Sequence, residues 1–325
     1  MDAKMSERKR KILRALAEEN IKTNEPVSSS VLAERYFTDL SSATIRNELA
    51  AMEEQGIISK THTSSGRVPT TLGFQLFTDE LLPFVRPTAK ELSYLKEHIN
   101  SKVSSMENLV YQAAETLSSV CNLPSVVLSG ISPFAVVSGI KIFKLSSNDY
   151  LVVLLSSEGH IKDVVNSEQD ISEEDCLSAS TFLTKTFAGQ MIKDIKLEGA
   201  KQEFAKFKAM VQMLIKVIEN QQNGQMATSG HSKLLENPMD QKSAKAFLNL
   251  MEDKEQIKEV AFKNNTKEVS VSVQNLNGAE CAIVSCSTHD KNGKPISVAV
   301  MGPARMDYEK VIRAVKGLSK IIDEE

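Results

Sequence analysis

Apolar residues recur three and four positions apart in three short stretches at the start of the chain. Residues 6–19 bring Ile12, Leu13 and Leu16 to one side, and Ser28 to Tyr36, after a break at Asn24-Glu25-Pro26-Val27, offers Val31, Leu32 and Tyr36 for a core. In the third stretch Ile45, Leu49 and Met52 stand at i, i+4 and i+7, Ser41 or Ser42 supplies a capping oxygen, and Gly56 sits where a helix would stop. The spacing predicts three short helices. The second and third are joined by a tight turn at Thr38-Asp39-Leu40, which describes a helix-turn-helix unit. Two β-prone runs follow, Ile57 to Thr61 and Arg67 to Thr70, around the turn His62-Thr63-Ser64-Ser65-Gly66. A hairpin in that place is the wing of a winged helix.

Further on, Leu72, Phe74, Leu76, Phe77 and Leu81 predict a helix over 71–84 packed under this unit, and Pro83 and Pro87 mark a boundary. From Thr88 to Asn122 apolar residues again alternate three and four apart, from Leu92, Leu95 and Ile99 to Leu117 and Val120. One long helix is expected there, its seam buried on the neighbouring domain or on a partner helix. After Pro124 the residues turn β-branched, with strands expected at 125–130, 139–145 and 150–156 and a meander completed by 160–165. The segment 172–222 is helical with an interruption near 192–199, and the polar run from Gln221 to Gly230 reads as a loop. Helices at 238–251 and 252–263, strands at 268–273, 280–287 and 295–301, and a closing helix with Val311, Val315, Leu318 and Ile322 inward complete the chain. Strands on either side of a helical block suit a mixed sheet interrupted by an insertion.

Composition narrows the class. A chain of 325 residues, 41% hydrophobic, can fill more than one core, and a net charge of −3 argues neither for nor against nucleic acid. With no run of 18 apolar residues and a polar N-terminus, a soluble cytoplasmic protein without a membrane partner is expected. Cys121, Cys176, Cys281 and Cys286 are scattered and lie apart from the histidines, which fits neither a disulfide framework nor a zinc site. Cys176, beside an apolar helix face, reads as a buried structural thiol. GxSxG, HExxH, GxxxxGK[ST] and GxGxxG motifs are absent, so neither an enzyme nor a cofactor is expected. Gly302-Pro303 with Arg305 and Asp307 has the look of a site, yet a strand ending in a Gly-Pro turn and an Asp capping the last helix account for it.

The candidate chemistry lies on the third helix. At about 100° per residue, the face opposite Ile45, Leu49 and Met52 carries Ala43, Arg46, Asn47 and Ala50, with Ser42 and Thr44 toward its start. Arg can bond both acceptors of a guanine edge, Asn the N6/N7 pair of adenine, and alanines let the helix sit close and touch a thymine methyl. Glu53 and Glu54 fall at the far end, away from phosphates when the helix enters a groove by its N-terminus. In the hairpin, Arg67 is expected to reach the minor groove or a phosphate, while Thr63, Ser64 and backbone N–H groups, that of Gly66 included, hold the sugar-phosphate chain. Between residues 4 and 14, six cationic residues (Lys4, Arg8, Lys9, Arg10, Lys11, Arg14) stand against one acid, Glu7, a face suited to phosphate contacts. Taken singly, each feature is matched by an ordinary solvated surface; together they point to double-stranded DNA.

The run LSSATIRNELAAMEEQGIISKTHTSSGRVPTTLGFQLFTDEL closely resembles the N-terminal signature of the HrcA family, the heat-inducible repressors of bacterial chaperone operons. GKPISVAVMGPARMDYEKVI resembles the family's strand-turn-helix signature and SKLLENP its short internal motif, so the resemblance spans the whole chain. It departs at Ser65, where Ala is expected, at Gln75, where a basic residue is common, and in TSGHSKLL, which is more polar than the usual Gly-rich run. The resemblance implies a dimeric repressor on an inverted-repeat operator, tuned by the GroE chaperonin. It implies an α+β fold: an N-terminal winged helix-turn-helix (1–86), a linker helix (87–122), and a GAF-like mixed α/β domain (123–165 and 240–325). A helical dimerising insert (166–239) interrupts the last. A repressor of the same architecture gated by a small ligand in the GAF-like domain is the alternative, and an enzyme is disfavoured by the missing motifs.

Overall fold

The structure is a computed structural model that describes residues 5–61, 66–100, 106–130, 134–157, 159–195, 207–222, 225–236, 241–263, 266, 268–276, 279–290 and 294–324. Three serine-capped helices open the chain: α1 (Glu7–Thr23), α2 (Ser29–Arg35) and α3 (Ser42–Glu54), behind Ser6, Ser28 and Ser41. α1 stops at Asn24, which takes the left-handed conformation at φ 60°. Their apolar faces, led by Ile12, Leu16, Leu32, Ile45, Leu49 and Met52, meet in one small core. Tyr36, expected in that core, is 38% exposed and donates its hydroxyl to the buried Glu19 carboxylate at 2.7 Å. Burial, and then this bond, push the hydroxyl up to about 12. Arg35 pairs with the same carboxylate, so one buried acid ties α2 to α1. β1 (Ile58–Lys60) and β2 (Arg67–Pro69) pair antiparallel, Ile58 opposite Pro69 and Lys60 opposite Arg67.

α4 (Thr71–Leu81) follows at once. The Thr70 hydroxyl accepts from Gly73 N at 3.2 Å and donates to Ile57 O at 2.9 Å, so the start of α4 is fastened to the residues that end α3. The helix has two apolar sides. Leu76 packs on the N-terminal core, whereas Phe74 and Phe77 enter a larger core beyond it.

The remaining chain runs α5 (Ala89–Asn100), α6 (Met106–Cys121), β3 (Ser125–Ser129), β4 (Val137–Lys144), β5 (Asp149–Ser156), β6 (Gly159–Asn166), α7 (Glu173–Phe187) and α8 (Lys208–Gln222). It continues through β7 (Met226–Ser229), α9 (Gln241–Glu252), α10 (Lys254–Phe262), β8 (Ser270–Leu276), β9 (Ala279–His289), β10 (Pro295–Pro303) and α11 (Tyr308–Glu324). Five strands form one sheet in the order β7-β3-β10-β9-β8. α5, α6 and α11 cover one face through Leu95, Ile99, Leu117, Val311, Val315 and Ile322. α9 and α10 cover the other through Phe247, Leu250, Ile257 and Phe262. β10 is therefore buried along nearly its whole length, and its residues read as one apolar run.

Several expectations change. Every pairing in the five-stranded sheet is antiparallel rather than mixed; between β8, β9 and β10 the connections are too short for the crossover that parallel neighbours need. The seam over 88–122 belongs to two helices, α5 and α6, and is buried inside the chain instead of forming a single linker helix. Strands β4 to β6, grouped by sequence with the domain that resumes at 240, make a separate three-stranded sheet whose inner face (Ile140, Ile142, Tyr150, Val152, Leu154) packs on α7 and α8. The excursion from the five-stranded sheet thus begins before β4 and ends at β7. The polar run over 221–230 contains β7, an edge strand that pairs Ser229 with Ser125 and Met226 with Leu128; its polarity is that of an edge facing water on one side.

All four cysteines are buried and free, and burial holds Cys121, Cys281 and Cys286 at about 12. Among the described residues no helix is long and apolar enough to cross a membrane, and no group of three metal-binding side chains occurs.

Candidate nucleic-acid interface

The orientation of α3 follows from its apolar positions. Ile45 and Met52 are fully buried and Leu49 nearly so, which turns the opposite side outward. Ala43, Arg46, Asn47 and Ala50 are exposed there, and among the described residues the Arg46 and Asn47 side chains make no hydrogen bond or ion pair. Two neighbours are already committed. Thr44 Oγ1 lies 2.9 Å from Ser41 Oγ, which also accepts from Thr44 N at 3.1 Å, and Ser42 Oγ lies 3.1 Å from Ser29 Oγ on α2. Ser42 and Thr44 fix where the helix begins and how it leans on α2.

The hairpin residues differ from expectation. Arg67 does not project: its Nε donates to Glu53 Oε2 at 2.8 Å, its side chain is 11% exposed, and its backbone exchanges two 2.8 Å bonds with Val27. It straps the hairpin to the end of α3, since its place on β2 puts the Glu53 carboxylate nearest. Gly66 is similarly inward; a Cβ there would lie 2.8 Å from the Pro26 backbone, so close approach demands glycine. Thr63 and Ser64 lie outside the described residues. Lys60 is the cation that sequence reasoning passed over, with a side chain 59% exposed and its Nζ 3.6 Å from Glu53. The available signal was a lysine at the mouth of a Ser/Gly turn.

The basic face of α1 is present but paired. Arg8 reaches Glu48 on α3 at 3.7 Å, Arg10 reaches Glu80 on α4 at 3.2 Å, and Lys11 and Arg14 bridge Glu7 and Glu18 along their own helix. Such exposed pairs are weak and exchange readily for phosphates. Arg8 and Lys60 also neutralise two of the carboxylates on α3, so the helix meets a polyanion with less repulsion than its sequence suggests. Behind this unit, a cleft of about 550 Å³ opens between α1, α4 and the turn into α11, with Ile21, Phe77, Leu81 and Met306 on its walls and Lys22 and Lys310 among its lining.

Residues 107–312 match the family model for the HrcA protein C-terminal domain. The chain is similar along nearly its whole length to proteins named heat-inducible transcription repressor HrcA. That of Clostridium acetobutylicum is 30% identical over 326 residues, covering 96% of this chain and 94% of the relative. That of Clostridium tetani is 28% identical over 334 residues, covering 98% and 94%. Among solved structures, a protein described only as hypothetical shares the fold with a TM-score of 0.55 at 18% identity, covering 99% of this chain and 98% of its own.

Removing Arg67 tests its strapping role. Arg67→Ala deprives a half-buried carboxylate of a charge-assisted bond, with Lys60 as partial compensation, and is expected to cost about 1–2 kcal/mol in urea unfolding. Combining it with Glu53→Gln should recover part of that loss. Wild-type stability in Arg67→Ala would return the residue to the role of a free arm.

Proposed function

The chain belongs to the HrcA family of heat-inducible transcription repressors, and from that premise we propose that it silences chaperone operons by seating α3 in the major groove of an inverted-repeat operator. In this reading α1 to α3 with the β1-β2 hairpin form a winged helix-turn-helix, and the helix-sheet-helix unit is the GAF-like domain. The carrying observation is the adjacent and exposed Arg46 and Asn47, unpaired among the described residues, on a helix locked in rotation by Ile45, Leu49 and Met52. A guanidinium and an amide held this way offer two bidentate pairings to base edges, with Ala43 and Ala50 allowing close approach. Lys60, Arg8 and the other cations of α1 supply the phosphate contacts. Thr63 and Ser64 would hold the sugar-phosphate chain.

One α3 reads one half-site, so an inverted repeat calls for two chains about a two-fold axis. The outer face of the β4-β5-β6 sheet supports a homodimer through the inserted unit. Phe143, Leu151 and Val164 align across its three strands, and Phe143 and Val164 are 51% and 53% exposed. In the same reading, activity that depends on the GroE chaperonin falls when unfolded protein competes for it. The cleft behind α1 and α4 favours, as a second reading, a repressor gated by a small ligand.

Arg46→Ala and Asn47→Ala should each lose about 1–3 kcal/mol of discrimination between operator and random duplex while retaining non-specific binding. Equal losses on both DNAs would remove the base-reading role. Sedimentation should show a dimer that Val164→Asp weakens, with half-site binding preserved; a concentration-independent wild-type monomer that binds the full operator one-to-one would overturn the dimer. Refolded protein should bind operator better with chaperonin than without, and an added unfolded competitor should reverse the gain. Full recovery without chaperonin, combined with a response to a metabolite extract, would give the mechanism to the ligand.

A further inference from the structure

β8 is an edge strand of the five-stranded sheet, so one row of its backbone groups has no neighbouring strand among the described residues. Gln75, on α4, fills part of that row. Its Nε2 donates to Val271 O at 3.0 Å and its Oε1 accepts from Val273 N at 2.9 Å. One side-chain amide thereby reproduces the donor and acceptor that a further strand residue would offer. The second hydrogen of Nε2 goes to Asp79 Oδ1, 2.8 Å away and one turn along, which orients the amide for this docking.

We infer that Gln75 is a positioning residue: its amide seats α4 on the β8 edge at one register and angle, and so sets how α3 is carried and which half-site spacing a dimer accepts. The inference rests on the reading of α3 as the base-reading helix of a dimer. The linkage is rigid at each step between them. Ile57, three residues past α3 and bonded back to it through its N–H to Met52 O, accepts at its carbonyl from Thr70 N at 3.0 Å and from the Thr70 hydroxyl at 2.9 Å, and a Cβ on Gly73 would fall 2.2 Å from that same oxygen, so α4 is fastened closely to the end of α3. At its far end α4 is held by Lys316, whose Nζ donates to Leu82 O at 2.7 Å and Val85 O at 2.9 Å. Thr71 donates to Glu280 Oε1 at 3.0 Å. Between these points Phe74 and Phe77 lie against the Tyr308 ring, each 6.1 Å between centroids. Apolar contacts of this kind hold surfaces together without fixing an angle, because burial is non-directional. The amide pair fixes it. A methionine in place of Gln75 keeps the length and the packing and loses both bonds; a lysine satisfies Val271 O and leaves Val273 N–H without its acceptor.

The test uses the full-length chain and duplexes selected from a random pool by the wild-type protein, presented as the inverted repeat, as the repeat with its spacing altered by one or two base pairs, and as a single half-site. Gln75→Met should leave half-site affinity near wild type, with a modest fall in the unfolding midpoint from the two lost bonds. Its preference for native over altered spacing should fall by about 5–30-fold, the worth of one to two kcal/mol of lost hydrogen bonding. Thr71→Val should shift the same preference less. Unchanged spacing preference in Gln75→Met overturns the inference, as does a loss on the half-site in equal proportion, which would make Gln75 merely structural. A wild-type protein that selects no repeat and binds no half-site would instead overturn the DNA-reading proposal on which the inference stands.

Discussion

Helix α4 is claimed by two cores, and the arrangement of the whole chain depends on that sharing. A helix of 11 residues is too short to persist alone, so it forms because Leu76 packs, partly buried, on one side and Phe74 and Phe77 are buried on the other. The N-terminal unit is small, and a unit of that size buries too little surface to be more than marginally stable. Docking the second side of α4 on β8 and α11 extends the buried surface across what would otherwise be a flexible boundary. The same helix starts where α3 ends, through the shared Ile57 carbonyl, so any change in its seat is carried directly to the exposed Arg46 and Asn47.

What the sequence made legible was local. Serine caps, the i, i+4, i+7 spacing and a left-handed stop are set within one turn, and they suffice to rotate α3 so that Arg46 and Asn47 face out. The closing helix was equally readable, since Val311, Val315, Leu318 and Ile322 need only their own periodicity. What escaped depended on distant partners. Arg67 looked like an arm because its neighbours in sequence are hydroxyls and glycine, whereas its actual partner, Glu53, lies 14 residues away. β7 looked like a loop because an edge strand needs polar residues on its open side, and only the register against β3 distinguishes the two. Strands β4 to β6 joined the wrong sheet because alternation reports that one face is buried and says nothing about what buries it.

Charge shows the same limit. The cluster of cations in α1 looked like a free phosphate-binding face, yet four of its members are paired with carboxylates, two of them on α3 and α4. The electrostatic footprint is therefore latent: weak solvent-exposed pairs that a phosphate replaces at little cost. A chain with net charge −3 can meet a polyanion in this way because the local exchange of partners, rather than bulk charge, decides the contact.

A repressor whose activity falls when a partner is withdrawn needs an element that changes state for a few kcal/mol, since moving a population from 1:99 to 99:1 takes about 5.5 kcal/mol. The packed cores do not qualify, because opening them costs the folded state itself. The joint between α4 and β8 does. Beside the apolar contacts of Phe74 and Phe77 it carries polar bonds at a sheet edge, those of Gln75 to β8 and of Thr71 to Glu280 on β9, each worth about 1 kcal/mol net. On the proposed reading, a chaperonin that favours the seated form, or a ligand in the cleft beside Phe77 and Leu81, acts on the same joint and needs no separate route to the DNA-reading face. Both regulators then reduce to one physical question: which of them binds more tightly when α4 is seated on β8.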